Sequence, residues 1–323
     1  MNECNECVEI DHHKIHIFSA GDEGKPKLVL LSGSGTVVPM YDFKILYEKL
    51  VGGYRIIVIE KFGYGYSELY EGPCDVDSVI TFQREALEKA GEKGPYILLP
   101  HSMSGLEAIR WKQLYPDEVK AIIGLDMAVP GVYLHWKQED VERRIRIMKR
   151  MRSLNKRGLL FWYPLSKRGL NGAEIKQQRL LRKRNAMNPC CENEAKALLE
   201  NAAIVDSAGR IDCPILMFVS DGKQASSGWI DQERRFAGEM NAKTVISTAG
   251  ITFIITKAIA SARKLRRSST GLWDHNTNGG FDRCNLSAIR NARPAKRRRS
   301  GWTRAASPTT SATSRTRSPR LPS

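Results

Sequence analysis

Apolar residues in the first 250 positions fall into short, nearly unbroken runs: Lys27-Leu-Val-Leu-Leu31, Tyr54-Arg-Ile-Ile-Val-Ile-Glu60, Tyr96-Ile-Leu-Leu-Pro100, Val119-Lys-Ala-Ile-Ile-Gly-Leu125 and Pro214-Ile-Leu-Met-Phe-Val219. Asn241 to Gly250 has the form of one more strand and its exit. Runs of this length without alternating polar positions predict strands buried on both faces. Helical stretches such as Glu107-Ala-Ile-Arg-Trp-Lys112 separate them. Strands alternating with helices predict an α/β fold, a mostly parallel central sheet covered by helices on both faces. Ahead of the first run, His12, His13 and His16 lie in a strand pattern and read as surface residues of a hairpin.

From Pro130 to about Asp206 the pattern becomes helical, basic and amphipathic, most clearly over Gln138 to Arg152. Val141, Ile145, Ile147, Met148 and Met151 recur at roughly helical spacing, predicting an apolar side towards a pocket and a Lys/Arg side towards solvent. The position between two core strands is that of a lid, with Leu159-Leu-Phe-Trp-Tyr-Pro164 as an apolar wall favouring an uncharged or acyl substrate. The expected organisation is core over 1–129, lid over 130–206, core again over 207–250 and a separate tail over 251–323.

The chemistry concentrates where the Tyr96 run meets Ser102. An apolar strand leads through Pro100 and His101 into Ser102, and Met103, Ser104 and Gly105 pass directly into a helix. A serine standing clear of the backbone at a tight strand-to-helix turn is the shape of a nucleophile elbow. The usual pattern is Gly-x-Ser-x-Gly; here Pro100 and Ser104 occupy the flanks and Gly105 comes one place late.

Four motifs in order, Ser32-Gly-Ser-Gly35, Glu60-Lys-Phe-Gly-Tyr-Gly-Tyr-Ser67, Gly94-Pro-Tyr-Ile-Leu-Leu-Pro-His-Ser-Met-Ser-Gly105 and Ile123-Gly-Leu-Asp-Met-Ala-Val-Pro130, make the chain resemble the α/β-hydrolase family. It looks most like the small bacterial branch of serine esterases and prolyl-aminopeptidase-like hydrolases, over roughly the first 250 residues. The resemblance implies Ser102 as nucleophile and the Ser34 and Met103 amides as oxyanion donors. It also implies an acid, either Asp126 directly after its strand or Asp221 after the next, with Asp126 slightly preferred. The reaction implied is hydrolysis of an ester or amide bond in a small, largely uncharged substrate.

A histidine is due after the last core strand in this order of serine, acid and base. Ile251 stands there instead. Of the six histidines, His101 leaves the turn in another direction from Ser102, His135 lies at the entry to the lid, and His275 sits in a tail without recognisable register. Charge breaks at the same point. The chain of 323 residues has 51 Lys and Arg against 35 Asp and Glu, a net charge of +16, and 16 of those bases lie after Gly250 with only Asp274 and Asp282 as acids. The preceding body is nearly neutral. Such a tail cannot bury a core and is expected to be disordered. One base restored before Ile251 lets codons for Ile251 to Thr256 read His-Tyr-Ile-His-His-Tyr, a stretch like that of family members. The expectation is a shifted reading frame after Gly250, leaving hydrolase activity impaired.

The alternative is an inactive hydrolase-fold binding protein whose basic tail contacts anionic partners. Clustered charge alone gives non-specific nucleic-acid affinity at low salt, without a module for specific binding. The seven cysteines are odd in number and lack a repeated spacing, and the lone Cys4-Asn-Glu-Cys7 pair is half a zinc site at best. No metal or cofactor is expected. Free thiols, the lack of an apolar leader and the lack of a membrane-length apolar stretch predict a cytoplasmic protein. The oligomeric state is left open.

Overall fold

The computed structural model describes residues 3–159, 165, 167–220 and 228–246. Eight strands form one sheet: β1 (Glu3–Ile10), β2 (His13–Ala20), β3 (Lys27–Leu31), β4 (Arg55–Glu60), β5 (Tyr96–Pro100), β6 (Val119–Leu125), β7 (Ile215–Val219) and β8 (Lys243–Ile246). Their order is β1-β2-β4-β3-β5-β6-β7-β8. β1, β2 and β4 pair antiparallel, and every pairing from β4 to β8 is parallel.

The unbroken apolar runs have a simple cause: both faces of the sheet are covered. Leu28, Leu30, Ile56 and Val58 pack with Leu46, Tyr47 and Leu50 of α2 (Lys44–Leu50), which follows the short α1 (Pro39–Asp42). Val29, Leu31, Ile57 and Ile59 face the other way, into a core shared with α3 (Val76–Lys89) and α4 (Ser104–Leu114). Period-2 alternation therefore sorts apolar residues between two cores instead of between core and water. α3 begins where Asp75 accepts the Ser78 amide at 2.9 Å, an N-cap that satisfies one of the helix's free donors.

Between β6 and β7 the chain forms α5 (Gln138–Lys156), α6 (Gly172–Asn185), α7 (Pro189–Lys196) and α8 (Leu198–Ser207), and α9 (Trp229–Glu239) joins the last two strands. Ile145 and Met148 of α5 pack with Tyr64, Cys191 and Ala195. Val141 and Met148 are buried, whereas Ile147 is 57% exposed. Among the described residues, no helix is long and apolar enough to cross a membrane.

His16 departs from the expected surface position. It is buried on β2, with Nδ1 2.9 Å from Glu60 Oε2 at an angle outside hydrogen-bond geometry. β2 is an interior strand, and the loop after β4 folds over it. Glu60 holds that loop, accepting the Met40 amide at 3.1 Å and the Tyr66 amide at 2.7 Å. A side chain at Gly65, whose φ is +50°, would collide with the Glu60 carboxylate.

Candidate functional site

Ser102 stands at the carboxyl end of β5, between β3 and β6, where open α/β sheets place their ligands. Its φ is +54°, a conformation rare for a residue with a side chain. Such strain persists only where the surroundings over-determine it. Here the Ser102 carbonyl accepts the Gly105 amide at 2.9 Å and the Ala128 amide at 2.7 Å.

The departures from the usual elbow pattern have a structural explanation. The Ser104 hydroxyl is buried, accepts the His101 amide at 3.0 Å and lies 2.8 Å from the Leu31 carbonyl, so it staples β5 to β3. A glycine is required one residue later. A Cβ at Gly105 would be driven into the Ala128 carbonyl, because the first turn of α4 rests directly on the loop after β6.

The loop after β3 touches the elbow from the other side, and a Cβ at Gly33 would lie 2.8 Å from Ser102 Cβ. Among the described residues, neither the Ser34 nor the Met103 amide N–H makes a hydrogen bond. The neighbouring Gly35 amide is tied instead to Tyr64 Oη at 3.1 Å. Tyr64 donates to Glu194 at 2.6 Å, and Lys61 lies 2.9 Å from Glu194 and 2.7 Å from Glu107 of α4. Gln83 closes the network by donating to Glu107 at 2.8 Å. Burial opposes the Lys61 ammonium, but the two carboxylates outweigh it and hold its pKa above the usual lysine range. A small pocket of about 20 Å³ beside Lys61, Cys74 and Glu194 has room for a single water. The network links the elbow helix to the Ser34–Gly35 loop, and no sequence pattern announced it.

Asp126 ends β6 with φ +48° and is 3% exposed. Its amide donates to the Phe218 carbonyl at 2.7 Å, and its Oδ1 accepts the Ser220 amide at 2.8 Å. The structure thus brings Asp126 to the same sheet edge as Ser102. Asp221 and His275 lie outside the described residues. His101 follows β5 with Nε2 buried and without a hydrogen-bond partner. Burial lowers its pKa, nearby Asp126 offsetting part of the effect, so the imidazole is neutral near pH 7. It makes no hydrogen bond to Ser102, whose hydroxyl has no such partner among the described residues.

Glu233 of α9 is a further acidic group that sequence patterning did not single out. It is fully buried, and neither carboxyl oxygen is hydrogen-bonded. Burial, with Asp126 adding to it, pushes its pKa to about 9; the Trp229 indole is near but outside hydrogen-bond geometry.

A cleft of about 520 Å³ opens from Ser34 and Gly35 towards α5. His135 is on its rim, exposed, with Nδ1 3.3 Å from the Gly131 carbonyl. Ser102 is not part of its wall, but Gly33, which touches Ser102, immediately precedes Ser34. Arg143 and Arg144 stand in this wall beside Ile147 and Met148, a departure from the expected uncharged lining. Ile145 and Met148 are drawn inward against α7, which turns the arginine-bearing side of α5 to the cleft. Of the predicted apolar wall, Leu160 to Pro164 lie outside the described residues.

No protein-family model matches the chain. It is 44% identical to the uncharacterized protein YbdG of Bacillus subtilis (strain 168) over 136 residues, 42% of each chain. It is 24% identical to epoxide hydrolase 4 of Homo sapiens over 125 residues, 38% of this chain and 34% of that one. The matches thus span less than half the length of these curated relatives. The solved structure of a putative epoxide hydrolase from Pseudomonas aeruginosa superposes with a TM-score of 0.65 at 13% identity, covering 83% of this chain and 96% of that one. With the sheet order and the elbow after β5, this likeness means that the chain has the α/β-hydrolase fold.

Proposed function

We propose that the chain is built as a serine hydrolase for an ester or amide bond. The observation that carries this reading is the strained Ser102 at the end of β5 beside two uncommitted amides, Ser34 and Met103. Ser102 Oγ attacks the carbonyl carbon, and the carbonyl oxygen takes up the charge and accepts from the two amides. The Ser102 proton passes to a base and on to the leaving alcohol or amine; water then releases the acyl group. Asp126 orients that base, its carboxylate fixed by Ser220. Asp221 remains the alternative acid. The helices of 130–206 act as the lid over the cleft.

The base is the missing part. His101 is unsuited by its place in the turn, and we attribute the loss of the due histidine to a shifted frame after Gly250, with residues 251–323 a consequence of it. DNA sequence across Gly250 tests this. A downstream frame that restores neither a histidine nor a helix would contradict it.

Fluorophosphonate labelling tests the nucleophile itself. In the chain with the alternative frame restored, stoichiometric labelling that disappears in Ser102→Ala supports the reading. Labelling unchanged by that substitution, or none even with the tail restored, points to the alternative of a hydrolase-fold binding protein with a basic tail.

A further inference from the structure

The residues of α5 that line the cleft are Asp140, Arg143, Arg144, Ile147 and Met148. Their spacing of i, i+3, i+4, i+7 and i+8 makes them one stripe of the helix. Charge is gathered at its first turns and apolar surface at the next. Arg143 is already compensated, its Nη2 lying 3.0 Å from Asp140 Oδ1. Arg144 is not: among the described residues it makes no hydrogen bond or ion pair, and its Nε is buried without a partner. Also lining the cleft, the Ser34 hydroxyl is a second buried polar group without a partner among the described residues. A buried donor left unpaired is costly, and a ligand acceptor recovers that cost on binding.

We infer that the cleft selects substrates carrying a carboxylate, with Arg144 as its charge partner and Ile147 and Met148 receiving the adjoining hydrocarbon. The inference rests on reading this cleft as the substrate site. Charge counting favours a monoanion: one guanidinium is uncompensated, and Arg143 is matched by Asp140. Geometry limits the size. Charged and apolar positions are one helical turn apart, about 5.4 Å, so the carboxylate and the hydrocarbon beside it belong to one short chain. Guanidinium is suited to the task because its planar donors bind a carboxylate in pairs and keep their charge at any working pH.

The test is calorimetric titration of the Ser102→Ala protein with monomethyl glutarate, a monoanionic ester, and with neutral dimethyl glutarate. Removing the nucleophile takes chemistry out of the measurement, so failure here is distinct from failure of fluorophosphonate labelling. The expected result is a preference of about tenfold or more for the monoanion, weakened by salt, abolished by adding Arg144→Gln and kept in part by Arg144→Lys. Arg150→Gln, exposed on α5 outside the cleft, is expected to leave it unchanged. Equal affinities, no binding of either ester, or a preference that survives Arg144→Gln would overturn the inference.

Discussion

Gly33 and Ser102 are so close that a Cβ on the first would lie 2.8 Å from the Cβ of the second. The two loops that would form an oxyanion site are therefore held at one fixed spacing. Gly33→Ala must move either the Ser34 amide or the elbow. The expected outcome is a marked fall in the rate of fluorophosphonate labelling at Ser102 in the chain with the alternative frame restored, and a loss of about 1–3 kcal/mol in urea unfolding. Unchanged labelling would mean that this spacing does not govern the site.

Lys61 lies between two buried carboxylates on different elements, Glu107 of α4 and Glu194 of α7. Lys61→Met leaves both without their cation in a place that water hardly reaches. Removing one partner of a buried ion pair costs about 3–5 kcal/mol, and that loss is expected in chemical denaturation. Lys61→Met with Glu107→Gln and Glu194→Gln is expected to recover a large part of it. Failure to recover would place the loss in packing.

Glu233 sets a pH dependence. Its pKa is raised to about 9 by burial and then by Asp126, whereas an unfolded glutamate titrates near about 4.3. The folded protein thus retains a proton that the unfolded chain releases, so the Glu233 contribution is fully present below the unfolded value and is lost as pH rises towards 9. Urea unfolding at about pH 5 and about pH 8 is expected to show a greater loss in the parent than in Glu233→Gln. Equal losses would show that Glu233 is ionised in the folded state.

Much of this fold was legible because the signal is local. Lys27–Leu31 and Val119–Leu125 are strands over the predicted residues, and both run to a chemically loaded loop. The places of Ser102 and Asp126 at strand ends were readable for the same reason, each following an apolar run directly. What escaped prediction depends on distant neighbours. Nothing near His16 shows that the Glu60–Ser67 loop will cover it, and the partners of Lys61 come from α4 and α7. Glu233 looks like an ordinary polar position of an amphipathic helix, yet α9 turns it inward beside Asp126. The side of α5 that faces the cleft was misread because apolar spacing locates the side that packs, and here packing against α7 competes with the cleft for the same residues.

On the proposed reading, Ser102 is a poised nucleophile deprived of its base. Hydrolysis of p-nitrophenyl acetate, compared between this chain and one with the alternative frame restored from residue 251 onward, tests it most directly. Restoration is expected to raise the rate by about three orders of magnitude or more, with Ser102→Ala abolishing the gain. Equal rates in the two chains would contradict it, because another group would then be serving Ser102.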